Sequence, residues 1–212
     1  IGLGIPAEPL FRSSYLPTDF INELLYYYEA KTTLKGVSGK DEEYMTAKGR
    51  INSAYGMIVT NPLRPTITYK NNEWGKEEID IIEGIQKYNR SPARFMPYVV
   101  GVFVTAYARR NLWNGILAVG NDYVYADTDS VKILNATEHE KYFQWYNNIV
   151  FEKLERASAF HNIPISKAIP KTINGVEKPL GVWDFDGYYV RLKTLGAKRY
   201  LYEYEDGEIS LT

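Results

Sequence analysis

The chain has 212 residues, 45% of them hydrophobic and 24% charged, with a formal net charge of −1. That is enough material for one globular domain, or two small ones sharing a core, and it supplies no overall basic field for nucleic acid. The lack of cysteine excludes disulfides, thiolate metal sites and cysteine nucleophiles, and no apolar run approaches the roughly 18 residues a membrane span needs.

The opening Ile-Gly-Leu-Gly-Ile-Pro has no basic flank, no signal-peptide apolar region and no initiator Met, so a processed product or a fragment is expected, working in a reducing cytosol. Only two histidines occur, His139 and His161. Both fall in a polar helical stretch and are expected at the surface, which argues against an imidazole-based zinc site. Nineteen tyrosines provide amphipathic rings that suit either packing or a polar ligand.

In chain order, residues 17–34 read as a helix, opened by Pro17-Thr18-Asp19 and carrying an apolar stripe of Phe20, Ile21, Leu24, Leu25 and Tyr28. Gly36 and Gly39 break it. Ser38 with Asp41 reads as a variant capping box for a second helix that runs to about Tyr55 and stops at Gly56, making an antiparallel helical hairpin. Residues 60–97 read as irregular, apart from a strand at Thr66-Ile67-Thr68-Tyr69 before a Lys70-Asn71-Asn72 turn. Helical periodicity returns over 98–118. A Gly120-Asn121-Asp122 turn then leads into a β-hairpin, Tyr123 to Leu134, with Asp127-Thr128-Asp129 at its tip. A helix over 138–160 follows, with Phe143, Tyr146, Val150 and Leu154 on one side. Strands are expected around Val182-Trp183 and over 197–204, with a turn at Asp206-Gly207.

Two segments carry chemistry. At a hairpin tip, Asp127 and Asp129 converge as like charges, an arrangement that is costly unless a cation lies between them. Mg²⁺ suits such a pair, because it takes one or two carboxylates and fills its shell from water and phosphate. The plainer reading is a solvated turn, where Asp is common. Lys48, Asn52 and Tyr55 stand at i, i+4 and i+7 on one helical face that ends at Gly56. A cation, an amide and a ring in that order match the phosphate, sugar and base of a nucleotide; the alternative is a surface stripe with Tyr55 packed inward.

Together these segments resemble the family B DNA polymerases. Residues 48–56 match the family's Lys-x-x-x-Asn-Ser-x-Tyr-Gly (motif B), residues 125–130 its Tyr-x-Asp-Thr-Asp-Ser (motif C), and Lys198-Arg199-Tyr200 its Lys-x-Tyr, in the family's order. The finer likeness is to protein-primed phage polymerases, through Ala30-Lys31-Thr32-Thr33, the Gly-Val-Phe-x-Thr-Ala-x-Ala-Arg run at 101–109 and Leu180-Gly181-x-Trp183. The resemblance implies an α+β fold: an antiparallel palm sheet on 122–134 and 180–205, backed by helices, with a helical-hairpin fingers element. It divides the chain into fingers (1–60), an insertion (61–97) and palm (98–212). It implies Asp127 and Asp129 as catalytic metal ligands for two Mg²⁺ ions, or Mn²⁺. Lys48, Asn52, Tyr55 and Lys31 would bind the dNTP, and Lys198, Tyr200, Ser53, Gly56 and Tyr125 the DNA primer-template.

The family's remaining aspartate lies in motif A, Asp-x-x-Ser-Leu-Tyr-Pro, and residues 1–47 contain no match. Ser13-Ser14-Tyr15-Leu16-Pro17 lacks the aspartate, and Asp184-Phe185-Asp186-Gly187-Tyr188-Tyr189 is conceivable only as a permuted version. No exonuclease region is visible. The expectation is therefore an incomplete DNA polymerase, completed by a second polypeptide or an N-terminal portion carrying motif A and the exonuclease. It would act in the cytoplasm, the host's if phage-encoded, with no membrane partner. The alternatives are a non-catalytic module that binds nucleic acid or a polymerase partner, and an RNA-templated or primer-independent polymerase.

Overall fold

Alternating helical stripes and short β-rich runs fold here into a mixed α+β architecture. A computed structural model describes residues 16–61, 63–92 and 98–211; the Ser13–Tyr15 part of the motif A comparison and the other residues before 16 lie outside them. Helix α1 (Thr18–Leu34) and helix α2 (Asp41–Ile58) form the expected hairpin. The stripe on α1 does what its spacing predicts, since Ile21 and Leu25 are buried and Phe20 and Leu24 pack beside them. The Ser38 cap does not form. Lys40 precedes the first turn instead, and Ser38 sits in a turn closed by the Lys40 N–H on the Val37 carbonyl (3.1 Å).

Nor does α2 stop at Gly56. It runs on to Ile58, because two further residues bury that side chain, and glycine weakens a helix by only about 1 kcal/mol.

The stretch expected to be irregular has its own structure. Strands β1 (Thr66–Lys70) and β2 (Glu73–Glu77) pair antiparallel, with Asn71 and Asn72 both at positive φ in a two-residue turn. Helix α3 (Ile81–Arg90) follows, capped by the Asp80 carboxylate accepting from the Glu83 N–H at 2.8 Å. The sequence reading missed α3, because its Gly84 and flanking charges resemble a loop.

Helix α4 (Tyr98–Val119) leads through a 3₁₀ turn at Gly120–Asp122 into strand β3 (Tyr123–Asp127), which pairs with β4 (Ser130–Ile133). Helix α5 (Ala136–His161) then buries Val150 and Leu154 against α1, and Asn162 in the left-handed region ends it. The expected surface placement of the histidines is overturned. His161 is only 6% exposed, its Nδ1 2.9 Å from Thr18 Oγ1, so it ties the end of α5 to the start of α1, and burial pushes its pKa down. His139 is half-buried with Nε2 2.7 Å from Asp122 Oδ2.

The palm-like sheet expected over 122–134 and 180–205 is not one ladder. β3–β4 is a two-stranded sheet, and β5 (Arg191–Gly196), β6 (Arg199–Glu203) and β7 (Ile209–Leu211) form a separate three-stranded one. The strand expected at Val182-Trp183 is absent for a visible reason. The Trp183 N–H donates to Asn147 Oδ1 (2.8 Å) and the Asn147 amide donates back to the Trp183 carbonyl (2.9 Å), so α5 takes the hydrogen bonds a neighbouring strand would need. The 180–183 segment becomes a strap, its indole lying over Gly115 of α4.

Helix α4 touches α2, β4 and α5, and its glycines set how closely. A Cβ on Gly101 would lie 2.3 Å from Val59 Cγ1 and 3.0 Å from Ile58 Cγ2. The stiff β-branched side chains cannot swing clear cheaply. Gly101→Ala is therefore expected to destabilise the chain by about 1–3 kcal/mol despite alanine's better helix propensity. Denaturant unfolding checks this: Val59→Ala in the same background should recover part of the loss.

Candidate functional site

A two-residue turn that reverses a strand within Asp127–Ser130 has little conformational choice, and the backbone shows the cost. Thr128 adopts φ +50°, with the Asp129 N–H donating to the Asp127 carbonyl at 2.6 Å. This is the γ-turn geometry that β-branched residues avoid. The turn of β5–β6 contains a second such residue, Lys198 at φ +60°. Residues held in these regions typically carry about 1–3 kcal/mol of strain and persist only where the surroundings over-determine them.

The surroundings here are each other. The two turns meet tip to tip although they are 70 positions apart. Lys198 Nζ lies 3.1 Å from Asp127 Oδ1 and 3.4 Å from Thr128 Oγ1, and the Thr128 hydroxyl donates to the same Oδ1 at 2.9 Å. The Lys198 N–H donates to the Tyr125 hydroxyl oxygen (3.0 Å), and the Tyr125 and Tyr200 rings meet tilted, with centroids 5.3 Å apart. The Lys198 ammonium, then the Thr128 hydroxyl, hold the Asp127 carboxyl below the usual carboxylate range.

Both hairpins are braced behind the tips. Asp122 fixes the base of β3–β4: its carbonyl accepts the Leu134 N–H (2.8 Å) and its carboxylate holds Asn135 and His139. On the flank, Lys132 of β4 donates to the Tyr189 hydroxyl (3.0 Å) and pairs with Asp186 (3.3 Å). Burial works against its charge, yet those two partners outweigh it and its pKa is raised. Tyr189 continues into a run of rings through Tyr202 and Tyr204 to Tyr200. The Tyr204 hydroxyl is pushed up to about 12, first by its hydrogen bond to Tyr202 and then by burial.

The Lys48, Asn52, Tyr55 face is open to solvent rather than packed inward. Tyr55 is 39% exposed, and its hydroxyl meets Thr105 Oγ1 at 2.6 Å, with Thr105 bonded in turn to the Gly101 carbonyl. Lys48, Asn52 and Ser53 are exposed, while Gly56 is half-buried inside α2. Lys31 sits on α1 with its ammonium 5.9 Å from the Tyr28 ring. Among the described residues no interaction joins Lys48, Asn52 or Lys31 to Asp127 or Asp129; the two groups connect through α4, which touches both α2 and β4. Asp184 and Asp186 are occupied elsewhere, by Lys178 and Lys132.

The chemistry of the donor set suits a hard cation. Asp127 Oδ2 and the Asp129 carboxylate accept no hydrogen bond among the described residues, leaving two carboxylates on one turn for Mg²⁺ or Mn²⁺. No group of three His, Cys, Asp or Glu residues gathers at one point among the described residues, so a third carboxylate is not in this turn. The sequence reading missed Thr105 and the Lys132–Asp186–Tyr189 cluster, whose partners are 50 or more positions away. Comparison with protein-family models, curated proteins and solved structures returns no match.

A carboxyl whose folded pKa is depressed contributes stability above its unfolded pKa, about 3.9, and loses it as pH falls through the folded value. Asp127 follows that sign. NMR titration of its carboxyl is expected to show a pKa below the ordinary range in the native chain, rising toward the ordinary value in Lys198→Ala.

Proposed function

We propose that the chain is the fingers and part of the palm of a family B-like DNA-directed DNA polymerase of the protein-primed type, acting in the cytoplasm, the host's if phage-encoded. What supports the reading most is the contact between the Asp127–Ser130 turn and Lys198. The motif C-like and Lys-x-Tyr-like segments, matched independently in sequence, touch in space. The exposed Lys48, Asn52, Tyr55 face on a helix anchored to α4 supports the nucleotide side of the same reading.

In this reading Asp127 and Asp129 would hold the magnesium or manganese. The bound metal would supply activation of a primer 3′-hydroxyl and charge neutralisation on the leaving pyrophosphate. Lys48 and Lys31 neutralise the incoming triphosphate, Asn52 and Tyr55 shape the base and sugar pocket, and Ser53 and Gly56 border it. Lys198, already ion-paired at the turn, moves from the Asp127 carboxylate to the primer phosphate, with Tyr125 and Tyr200 flanking the primer terminus. Two carboxylates are short of a two-metal cage, so the third is supplied by a motif A-bearing polypeptide or an N-terminal portion of the same protein.

A second reading rests on one observation: the Lys198 ammonium already pairs with the Asp127 carboxylate at 3.1 Å. A module that binds nucleic acid or a polymerase partner without catalysis would be content with that pair.

Mg²⁺-dependent primer extension in the presence of a motif A-bearing partner is the deciding assay. The polymerase reading expects extension only with the partner, and a loss of 100-fold or more in Asp127→Asn, since the group acts on the transition-state charge. Extension indifferent to Asp127→Asn would overturn it. Calorimetry with Mg²⁺ and a dNTP gives the companion result, a heat signal that depends on Asp127 for the polymerase and none for the binding module.

A further inference from the structure

Two lysines tie the β3–β4 hairpin to the segment that follows it, and their surroundings are opposite. The Lys198 side chain at the tips is 72% exposed, whereas that of Lys132, on β4, is 11% exposed. An exposed ion pair contributes little and leaves its partners free to part. An ammonium largely removed from water has no such freedom, because leaving its partners would strand a buried charge.

Residues directly opposite in an antiparallel pair share a face. The register Tyr125↔Lys132 therefore sets these two residues side by side on one face of the hairpin. From Lys132 the contacts run outward. Its ammonium reaches the Tyr189 hydroxyl at 3.0 Å and Asp186 at 3.3 Å, and that hydroxyl donates to the same carboxylate at 3.0 Å. The Tyr189 ring meets Tyr202 with centroids 4.8 Å apart, Tyr202 lies 5.9 Å from Tyr200, and Tyr200 lies 5.3 Å from Tyr125. The path thus closes on the strand pair it left. It closes on the residue whose hydroxyl oxygen accepts the Lys198 N–H.

We propose that Lys132 is a positioning residue. By anchoring Tyr189, and through it the rings of β6, to β4, it sets the Lys198 turn against the Asp127 turn. On the polymerase reading, which this last step rests on, it thereby sets the primer end against the metal side. Lys132→Met keeps most of the stem but removes the cation that Tyr189 and Asp186 share, so the closed path opens at its buried link.

NMR of the full chain with labelled tyrosine rings tests the placement without any activity. The native chain should show a Tyr125–Tyr200 ring NOE, Lys132→Met should lose it, and Lys132→Arg, which keeps a cation, should retain it. Tyr189→Phe keeps the ring and removes only the oxygen that holds the ammonium; it should weaken the same NOE and serves where Lys132→Met does not fold. With the motif A-bearing partner present, Lys132→Met should raise KM for primer-template about tenfold and leave KM for dNTP unchanged, since the nucleotide side lies on α2. An intact NOE in Lys132→Met, or in Tyr189→Phe where the first variant does not fold, would overturn the proposal. So would its loss in Lys132→Arg, or an equal rise in both KM values. Absence of extension by the native chain with its partner would sink the polymerase reading instead, and the NOE would still decide the placement.

Discussion

The ion pair between Lys198 and Asp127 joins two turns that would each be unfavourable alone. A threonine and a lysine both hold positive φ where glycine would be expected, and each is stabilised by the other's side chain. Neither sheet shares a ladder with the other, so their relation rests on side chains: this tip contact, the Tyr125–Tyr200 ring contact and the Lys132–Asp186–Tyr189 cluster. An exposed ion pair by itself contributes little, about 0–1 kcal/mol. Its value here is positional, because it fixes the carboxylate turn against the strand pair that follows.

Helix α4 performs the same service on a larger scale. Gly101 admits the end of α2, and Gly115 admits the Trp183 indole. The motif B-like helix and the strap before β5 are thereby set against one rod whose far end runs into β3. Under the proposed reading, α4 relates the nucleotide side of the site to its metal side. The Tyr55–Thr105 hydrogen bond ties the motif B-like helix directly to that rod.

Much of this was legible in sequence where the signal is local. The stripe on α1, the period of α4 and α5, and the Asn71-Asn72 turn follow from side-chain spacing and backbone preference, which act over a few residues. The failures have one pattern. Ser38 could cap only if the chain entered the helix at its own position, and the turn from Val37 to Lys40 moved that entry. His161 reads as polar, yet the end of a 26-residue helix turned it onto Thr18. Val182-Trp183 has strand composition, but Asn147 satisfied its backbone first.

The sequence by itself determined the mixture of helices and short β-runs, the helical hairpin and the two carboxylates at a hairpin tip. Those depend on periodicity, turn chemistry and residue identity, which are written in neighbouring positions. Only the tertiary structure decided that the sheet is divided, that Lys198 rather than a third carboxylate faces Asp127, and that Lys132 meets Tyr189 and Asp186. Each of these turns on which of several competing partners a backbone or side-chain group meets across long chain separations. That competition is resolved by packing, which local pattern does not encode.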